Sequence, residues 1–327
     1  MKRIVPIDPA SYQRHSIHGE NRMWAETNCY SDVVIELLNG LGHEPLAAMP
    51  FTLAIDFEGD QWTFFKFRPQ DIRDLFGLDI QELAPWRPLV AHIENQVAQG
   101  RPVLVELDSY FLPDTAGTAY RRAHVKSTVA VNEIDVDKRH LGYFHNQGYY
   151  HLNSQDFADI FQIDGLVHER MLPPYIEFLK AVPGFVSLAP EELVEASLGI
   201  LESQIRSLPA TCPFVPFKEA FCRDAEWLLQ AEIEIFHAYS FATFRQYGAC
   251  FELASTYLGW LTDRGIEATS GASESFAQIS RSTKAFQFQL ARAMARRKPL
   301  DLAPLDEMAI LWEQGMNSLI SKFAAMQ

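Results

Sequence analysis

The chain has 327 residues, of which 48% are hydrophobic and 21% charged, and its formal net charge is −14 at pH 7. It is longer than one ordinary domain, and its composition is that of a globular protein with a substantial core. The acidic balance holds in both halves, which excludes the basic surface of a general nucleic-acid-binding protein. No apolar stretch approaches the roughly 18 residues of a membrane span, so we expect no membrane insertion.

Four cysteines are present, Cys29, Cys212, Cys222 and Cys250. Their number and spacing predict neither a disulfide framework nor a zinc site of paired cysteines. The first residues include two basic side chains without an apolar segment behind them, so no secretory signal is predicted. Reduced thiols without a leader favour a cytoplasmic protein.

Short strands and helices alternate in the first half of the chain. Alternating or continuous apolar runs predict strands at 51–57, 61–67, 102–107, 124–131, 141–145 and 149–152. The first two strands are expected to form a hairpin around Glu58-Gly59-Asp60. Helices are predicted at 29–39, 69–77 and 86–99.

The second half has helical periodicity. Apolar residues recur at three- and four-residue spacing in 174–181, 190–206, 216–263, 272–297 and 304–325. The third of these segments is long for one helix and is expected to bend near Gly248. We therefore predict an α+β domain over 1–168, in which a helix packs on an antiparallel sheet, and an all-helical domain over 169–327. The boundary is expected within Gly165–Pro173.

A cysteine at the start of a predicted helix is the first chemical feature. Thr27 or Asn28 is a good N-cap residue, and an apolar stripe begins at Val33, so Cys29 is expected in the first helical turn. There the helix dipole and the N–H groups favour a thiolate and can stabilise an oxyanion. The alternative is a small buried apolar side chain, the ordinary role of a free cysteine.

A histidine at the start of a later strand supplies the base that a thiol nucleophile needs. His124 stands at the beginning of the predicted strand 124–131. An imidazole at the mouth of a sheet strand, facing the N-terminus of a packed helix, is the papain-type arrangement. The sequence therefore predicts Cys29 as the nucleophile and His124 as its base.

The order of motifs around these two residues resembles a known family. After Cys29 come GRPVLVELDSYFLPDT (Gly100–Thr115), AHVKSTVAVNEID (Ala123–Asp135) and LGYFHNQG (Leu141–Gly148). Over about residues 20–165 this order looks like the N-terminal domain of the butirosin-biosynthesis acyltransferases, and it is more similar still to the bacterial domain of unknown function 1839. The resemblance implies a papain-like, C39-peptidase-related fold. It also implies transfer of an aminoacyl-type group from a phosphopantetheinyl carrier protein to an amine, through a cysteine.

Two residues compete for the role of orienting His124. Papain-type folds place an Asn or Asp on the strand after the histidine strand, where Asn146 stands, although Asn146 is also a natural turn residue. Asp108 is the alternative, because it ends a buried strand where an unpaired carboxylate is costly. The glutamine that papain-type proteases use for the oxyanion is missing, which weakens the case for a protease. Asn28 is our prediction for the oxyanion donor.

Three side chains near His124 are predicted to bind substrate. They are Tyr110, Arg121 and Arg122. The arginines would contact a phosphopantetheine phosphate or an acidic carrier protein, and a solvated basic loop is the alternative.

Histidines on a predicted hairpin raise the question of a metal site. His140, His145 and His151 place at most two imidazoles on one face, and no acid cluster matches them. No metal site is therefore predicted.

The function favoured by these features is a cysteine-dependent acyltransferase. It would move an acyl or aminoacyl group from a carrier-protein thioester to an amine or hydroxyl, with no cofactor of its own. The alternatives are a cysteine hydrolase (peptidase or amidase) on the same fold and a non-catalytic binding module. The expected partners are the carrier protein and a small-molecule or protein acceptor, and the aromatic-rich segment 235–260 is expected to be core or the face of a homodimer.

Overall fold

The computed structural model describes residues 1–163, 174–206, 208–209 and 211–323, apart from the side chain of Ala268. The chain divides into two compact units. The sheet unit comprises 1–20, 28–45 and 68–188, and the helical unit comprises 21–27, 46–67 and 189–327. The predicted boundary within Gly165–Pro173 lies outside the described residues, so the limits 1–168 and 169–327 stay predictions.

The described part of the sheet unit contains one antiparallel sheet of seven strands. They are β1 (Lys2–Arg3), β2 (Leu78–Glu82), β3 (Val103–Asp108), β4 (Lys126–Asp135), β5 (His140–His145), β6 (Gly148–Asn153) and β7 (Ile176–Ala181). The order across the sheet is β2-β7-β3-β4-β5-β6, and β1 pairs with β4. This sheet places the ends of β3 and β4 side by side.

Helices pack on this sheet. They are α1 (Cys29–Gly40), α2 (Pro69–Phe76), α3 (Leu89–Ala98) and α4 (Ser154–Ile160). The side of the sheet that carries Val105 and Val129 forms a core with Ile93 of α3, and α1 packs on β4 and β5. Because successive side chains of a strand alternate between its faces, β4 can contact α1 and the α3 core with neighbouring residues.

The two ends of α1 are held by different means. Asn28 caps its start, since the side-chain Oδ1 accepts from the N–H of Ser31 at 3.0 Å. Near its end, a Cβ at Gly40 would lie 2.4 Å from Cζ of Phe144 on β5, so glycine permits the close approach of helix and sheet. The predicted helix at 29–39 is thus present, with Cys29 as its first residue.

The described part of the helical unit contains six longer helices. They are α5 (Pro190–Ile205), α6 (Phe214–Leu228), α7 (Ile233–Ala242), α8 (Phe244–Thr262), α9 (Ser270–Arg296) and α10 (Ala303–Phe323). Trp24 is fully buried in this unit, and its Nε1–H donates to Ser280 Oγ at 2.8 Å. An antiparallel sheet followed by a mainly helical region confirms the predicted α+β class.

The strands predicted at 51–57 and 61–67 are wrong, although the chain does turn back at Glu58-Gly59-Asp60, where the N–H of Glu58 donates to the carbonyl oxygen of Gln61 at 2.8 Å. The chain forms a short 3-10 helix at Pro50–Ala54 and a single bridge between Phe57 and Trp62. The Trp62 ring lies against Phe214 and Tyr247 of the helical unit. Aromatic residues favour strands only where a sheet surface receives them, and here a helical core does.

The helix predicted at 174–181 is also wrong, because Ile176–Ala181 is strand β7, between β2 and β3. The predicted segment 216–263 is divided among α6, α7 and α8, and α7 gives way to α8 at Thr243 rather than Gly248. The backbone of Thr243 leaves the helical region (φ −117°, ψ −86°). Within the described residues, no helix combines the length and apolar character that a membrane crossing requires.

Candidate active site

Cys29 occupies the first turn of α1 and is partly exposed. Its Sγ lies 3.7 Å from Oγ1 of Thr128 on β4, to which the thiol donates. The start of a twelve-residue helix offers backbone N–H groups and the positive end of its dipole to an anion. The partial exposure of the Cys29 side chain leaves its thiol open to a reagent.

The residue that faces Cys29 across to the sheet is a threonine and not a histidine. His124 lies before the first residue of β4. In the part of the chain that the structure describes, no hydrogen bond joins Cys29 to His124.

His124 is instead paired with Asp108, the last residue of β3. Its Nδ1 lies 2.6 Å from Asp108 Oδ2, and the other carboxylate oxygen accepts the N–H of Tyr110 at 3.0 Å. An imidazole whose Nδ1–H donates to a carboxylate keeps Nε2 available as a base. The pair is accessible, since the His124 side chain is 69% exposed and that of Asp108 35%.

The register of β3 and β4 relates this pair to the thiol. Asp108 lies opposite Lys126, and Glu106 lies opposite Thr128. Residues two apart on a strand share a face, so Asp108 is on the same face as Thr128 and Cys29, roughly 7 Å further along β3 than Glu106. The thiol and the imidazole–carboxylate pair therefore lie on the same face of the sheet, two strand positions apart along β3 and β4.

Tyr110 is the platform for the imidazole. The rings of Tyr110 and His124 stack with centroids 4.4 Å apart and planes 12° from parallel. Arg121 lies on the tyrosine in turn, with its Cζ 5.6 Å from the ring centroid. Two of the three side chains predicted to bind substrate, Tyr110 and Arg121, are therefore stacked beside His124.

The two arginines differ in their partners. Arg121 forms ion pairs with Asp156 and Asp159, which neutralise its charge. Arg122 is exposed, and its Nη1 donates to the carbonyl oxygen of Gly117 at 2.8 Å. In the described ranges no carboxylate contacts Arg122, so of the two it is the cation still open to an anionic ligand.

Asn146 and Asn28 have structural tasks in this conformation. Asn146 occupies the tight turn between β5 and β6 with a positive φ of 47°, where asparagine is favoured. No hydrogen bond links it to His124 among the residues described, whereas Asp108 has one. The side-chain oxygen of Asn28 caps α1, and its role as an oxyanion donor stays a prediction.

A buried chain of hydrogen bonds escaped the sequence analysis. His145 Nδ1 lies 2.5 Å from Asp114 Oδ2, its Nε2 lies 2.6 Å from Ser127 Oγ, and Tyr143 donates to the other Asp114 oxygen. The three side chains are hydrogen-bonded in the order of a catalytic triad, with a serine, a histidine base and an acid that orients it. His145 is only 1% exposed and Ser127 is buried, so these bonds anchor the loop after Tyr110 to β4 and β5. The hydrogen-bonded partners are distant in sequence, so no local motif predicts these bonds.

The inner face of α1 carries a second buried cluster. His18 Nδ1 lies 2.5 Å from Glu36 Oε1, and its Nε2 lies 3.2 Å from Asp32 Oδ1. Burial lowers the pKa of His18, but the hydrogen bonds and charges of Asp32 and Glu36 outweigh it, and the pKa is raised. The imidazole therefore tends to carry a proton between the two carboxylates and hold the N-terminal segment against α1.

Comparisons with known proteins agree over both halves of the chain. Residues 13–181 match the model of the DUF1839 N-terminal domain, and residues 190–321 match the model of the DUF1839 C-terminal domain. No curated protein matches the chain.

Proposed function

The chain belongs to the DUF1839 family, and we propose that it is a cysteine-dependent acyltransferase in which Cys29 carries the acyl group. The observation that supports the proposal is the shared sheet face. A partly exposed thiol at a helix start and an accessible imidazole whose Nδ1 is held by a carboxylate lie on this face. These are the parts that covalent acyl transfer requires.

In the first half-reaction, the Cys29 thiolate attacks the carbonyl carbon of a thioester. The oxyanion that forms is stabilised by the positive end of α1. The carbon–sulfur bond to the donor then breaks, and protonated His124 gives its proton to the leaving thiolate. An acyl-enzyme and a free donor thiol result.

In the second half-reaction, an amine or hydroxyl attacks the acyl carbon of the acyl-enzyme. Neutral His124 accepts the proton of the nucleophile, and the bond to Cys29 Sγ breaks. Asp108 keeps the imidazole in the tautomer that both steps need. Because catalytic hydrogen bonds are often long before substrate binds, the thiol and imidazole are expected to approach each other in the substrate complex.

The donor is expected to be a thioester on a phosphopantetheine arm of a carrier protein. The resemblance of Gly100–Thr115, Ala123–Asp135 and Leu141–Gly148 to the butirosin-biosynthesis acyltransferases supports this choice. Arg122 is the exposed cation suited to the phosphate of the arm, and Tyr110 and Arg121 would border the arm beside His124. A hydrolase would use the same residues with water as the acceptor, so the acceptor distinguishes the two functions.

Intact-protein mass spectrometry tests the proposal. The wild type is incubated with acyl and aminoacyl thioesters of pantetheine and of a carrier protein, and amines are then added. We expect one acyl adduct that Cys29→Ser abolishes, and that an amine discharges faster than water does.

Cys222→Ser is the matched control, because Cys222 is an exposed thiol on α6. It should acquire the adduct like the wild type. An adduct that survives Cys29→Ser, or none across the whole donor panel, contradicts the proposal. Discharge by water at the same rate with and without amine favours the hydrolase.

A further inference from the structure

Three neighbouring strands bring two imidazoles and a carboxylate together, away from the acyl-transfer residues. Glu133 lies on β4, His140 on β5 and His151 on β6. Each offers one ligand atom, and these atoms all lie within 4.8 Å of one another. We propose that these three side chains bind a divalent transition-metal ion of the zinc type.

The sheet register explains how the three side chains meet. Glu133 and His151 lie opposite Gly142 on its two sides, and His140 lies two residues before Gly142 on the same face. A Cβ at Gly142 would lie 2.3 Å from Oη of Tyr149 and 3.0 Å from Cβ of Glu133. Glycine at this position therefore leaves room for the Tyr149 hydroxyl and for the Glu133 side chain.

A β-bulge brings the acid to this face. The pairing of β4 with β5 shifts register between Val131 and Glu133. Without the bulge, the alternation that puts Thr128 on the face of α1 would point Glu133 to the other side of the sheet. This is why the sequence showed two histidines on one face and no acid beside them.

The surroundings of Glu133 and His140 match those of metal ligands. Arg3 binds one oxygen of Glu133, and the other oxygen lies 2.8 Å from His140 Nε2. Nδ1 of His140 lies 2.6 Å from Oδ1 of Asn153. With Nδ1 held by Asn153, the other ring nitrogen, Nε2, is the one that a metal ion would take in place of its hydrogen bond to Glu133, which is the arrangement that orients metal-bound histidine.

His151 supplies an independent observation. Its Nε2 is buried and has no hydrogen-bond partner among the residues that the structure describes, although buried polar atoms of proteins nearly always have one. The imidazole rings of His140 and His151 are 4.7 Å apart between centroids. A cation between these rings would satisfy the buried nitrogen of His151 and would replace the direct hydrogen bond between His140 Nε2 and Glu133 by two bonds to the metal.

The donor set indicates the chemical class of the ion. Two imidazoles and one carboxylate suit Zn²⁺, with bonds of about 2.0–2.2 Å and water in the fourth position. Tetrahedral bonds of that length separate ligand atoms by about 3.3–3.5 Å, so side-chain rotations of about an ångström close the site. Glu133 and Thr128 are five positions apart on β4, so the ion would clamp three strands rather than contact the Cys29 acyl group.

Zinc titration of the full-length, chelator-treated protein tests this inference. Competition with a chromogenic zinc chelator gives the affinity, and Co²⁺ absorption reports the coordination geometry. We expect one high-affinity equivalent in the wild type and an affinity at least about 100-fold weaker in His151→Gln, since even changes outside the ligand shell cost 10–100-fold. The melting temperature of the wild type should rise with Zn²⁺ and that of His151→Gln should not.

His151→Gln removes no hydrogen bond that Nε2 makes within the described part of the chain, so the variant is expected to fold. His237→Gln, at an exposed position of α7, is the matched control and should bind Zn²⁺ like the wild type. Glu133→Gln supplies a second variant in which the carboxylate is lost and the shape retained. Equal zinc affinity in wild type and His151→Gln, or no zinc binding by the wild type, overturns the inference.

Discussion

Gly248 of α8 offers a quantitative test of the helical core. A Cβ at this position would lie 2.5 Å from Cζ2 of Trp24 and 3.1 Å from Cγ2 of Thr283. Trp24 is fully buried and is tied through Nε1 to Ser280, whose hydroxyl donates to the carbonyl of Gly248. The indole therefore has no room to withdraw, and we expect Gly248→Ala to destabilise the protein.

The magnitude follows from two opposing terms. Replacing a helical glycine by alanine gains up to about 1 kcal/mol of helix propensity, whereas overpacking a core costs about 1–3 kcal/mol. A contact of 2.5 Å with a pinned ring belongs at the upper end of that cost, so the net loss is about 2 kcal/mol. Gly199 of α5 is the matched control, because a Cβ there meets nothing within 4 Å, and Gly199→Ala should gain about 0.5–1 kcal/mol.

Thermal unfolding followed by far-UV circular dichroism measures both variants. At about 2–4 °C per kcal/mol, Gly248→Ala should melt about 4–8 °C below the wild type and Gly199→Ala about 1–4 °C above it. Shifts of the same sign and similar size in the two variants would refute the packing of Trp24 on α8.

Three further predictions concern buried and paired charges. The pKa of His18 is raised in the folded protein, so its protonation stabilises the fold fully below the ordinary histidine pKa of about 6.5, and this stabilisation is lost as the pH rises through the raised pKa. The urea concentration at the unfolding midpoint of the wild type should therefore decrease between pH 6.5 and pH 9. The midpoint of His18→Gln should change less over the same range. Burial raises the pKa of Asp71 to about 6, and the charge of Arg68 opposes this only in part. The protonated carboxyl group stabilises the fold at low pH, and this stabilisation is lost as the pH rises through 6. Asp71→Asn should therefore increase the free energy of unfolding at pH 8 by up to about 3 kcal/mol, as measured by urea titration. Asp108→Asn should slow Cys29 acylation about 100-fold in stopped-flow assays and change its pH profile, with the melting temperature unchanged. The first expectation is contradicted if the unfolding midpoint of the wild type does not change with pH. The second is contradicted if Asp71→Asn is no more stable than the wild type at pH 8, and the third if Asp108→Asn is acylated at the wild-type rate.

The elements with local signals were predictable from the sequence. Asn28 caps α1 as expected, and the apolar run at 102–107 is strand β3 within a residue at each end. The predictions for 51–67 (strands) and 174–181 (helix) were wrong, because aromatic and apolar residues suit a helical core and a central strand equally well. What decides between these outcomes is the tertiary partner, which the local pattern does not contain.

In the candidate site, too, contacts with a local sequence signal were predictable and contacts set by tertiary pairing were not. His124 and Asp108 were chosen by their places at strand ends, and the structure pairs them at 2.6 Å. The bonds of His145 to Asp114 and of His140 to Glu133 depend on cross-strand register and on a bulge. Register is set by pairing across the whole sheet, so periodicity within one strand does not reveal these contacts.

The reactivity of Cys29 tests the central claim most directly. Cys29 and Cys222 are both accessible, so one sample at pH 6 compares the helix-start thiol with an ordinary one when alkylation by iodoacetamide is followed by peptide mass spectrometry. We predict that Cys29 is labelled at least about tenfold faster, because on the proposed mechanism the start of α1 and His124 activate it as a nucleophile, and that His124→Gln reduces the advantage. Equal labelling of Cys29 and Cys222, unchanged by His124→Gln, would contradict the assignment of Cys29 as an activated nucleophile.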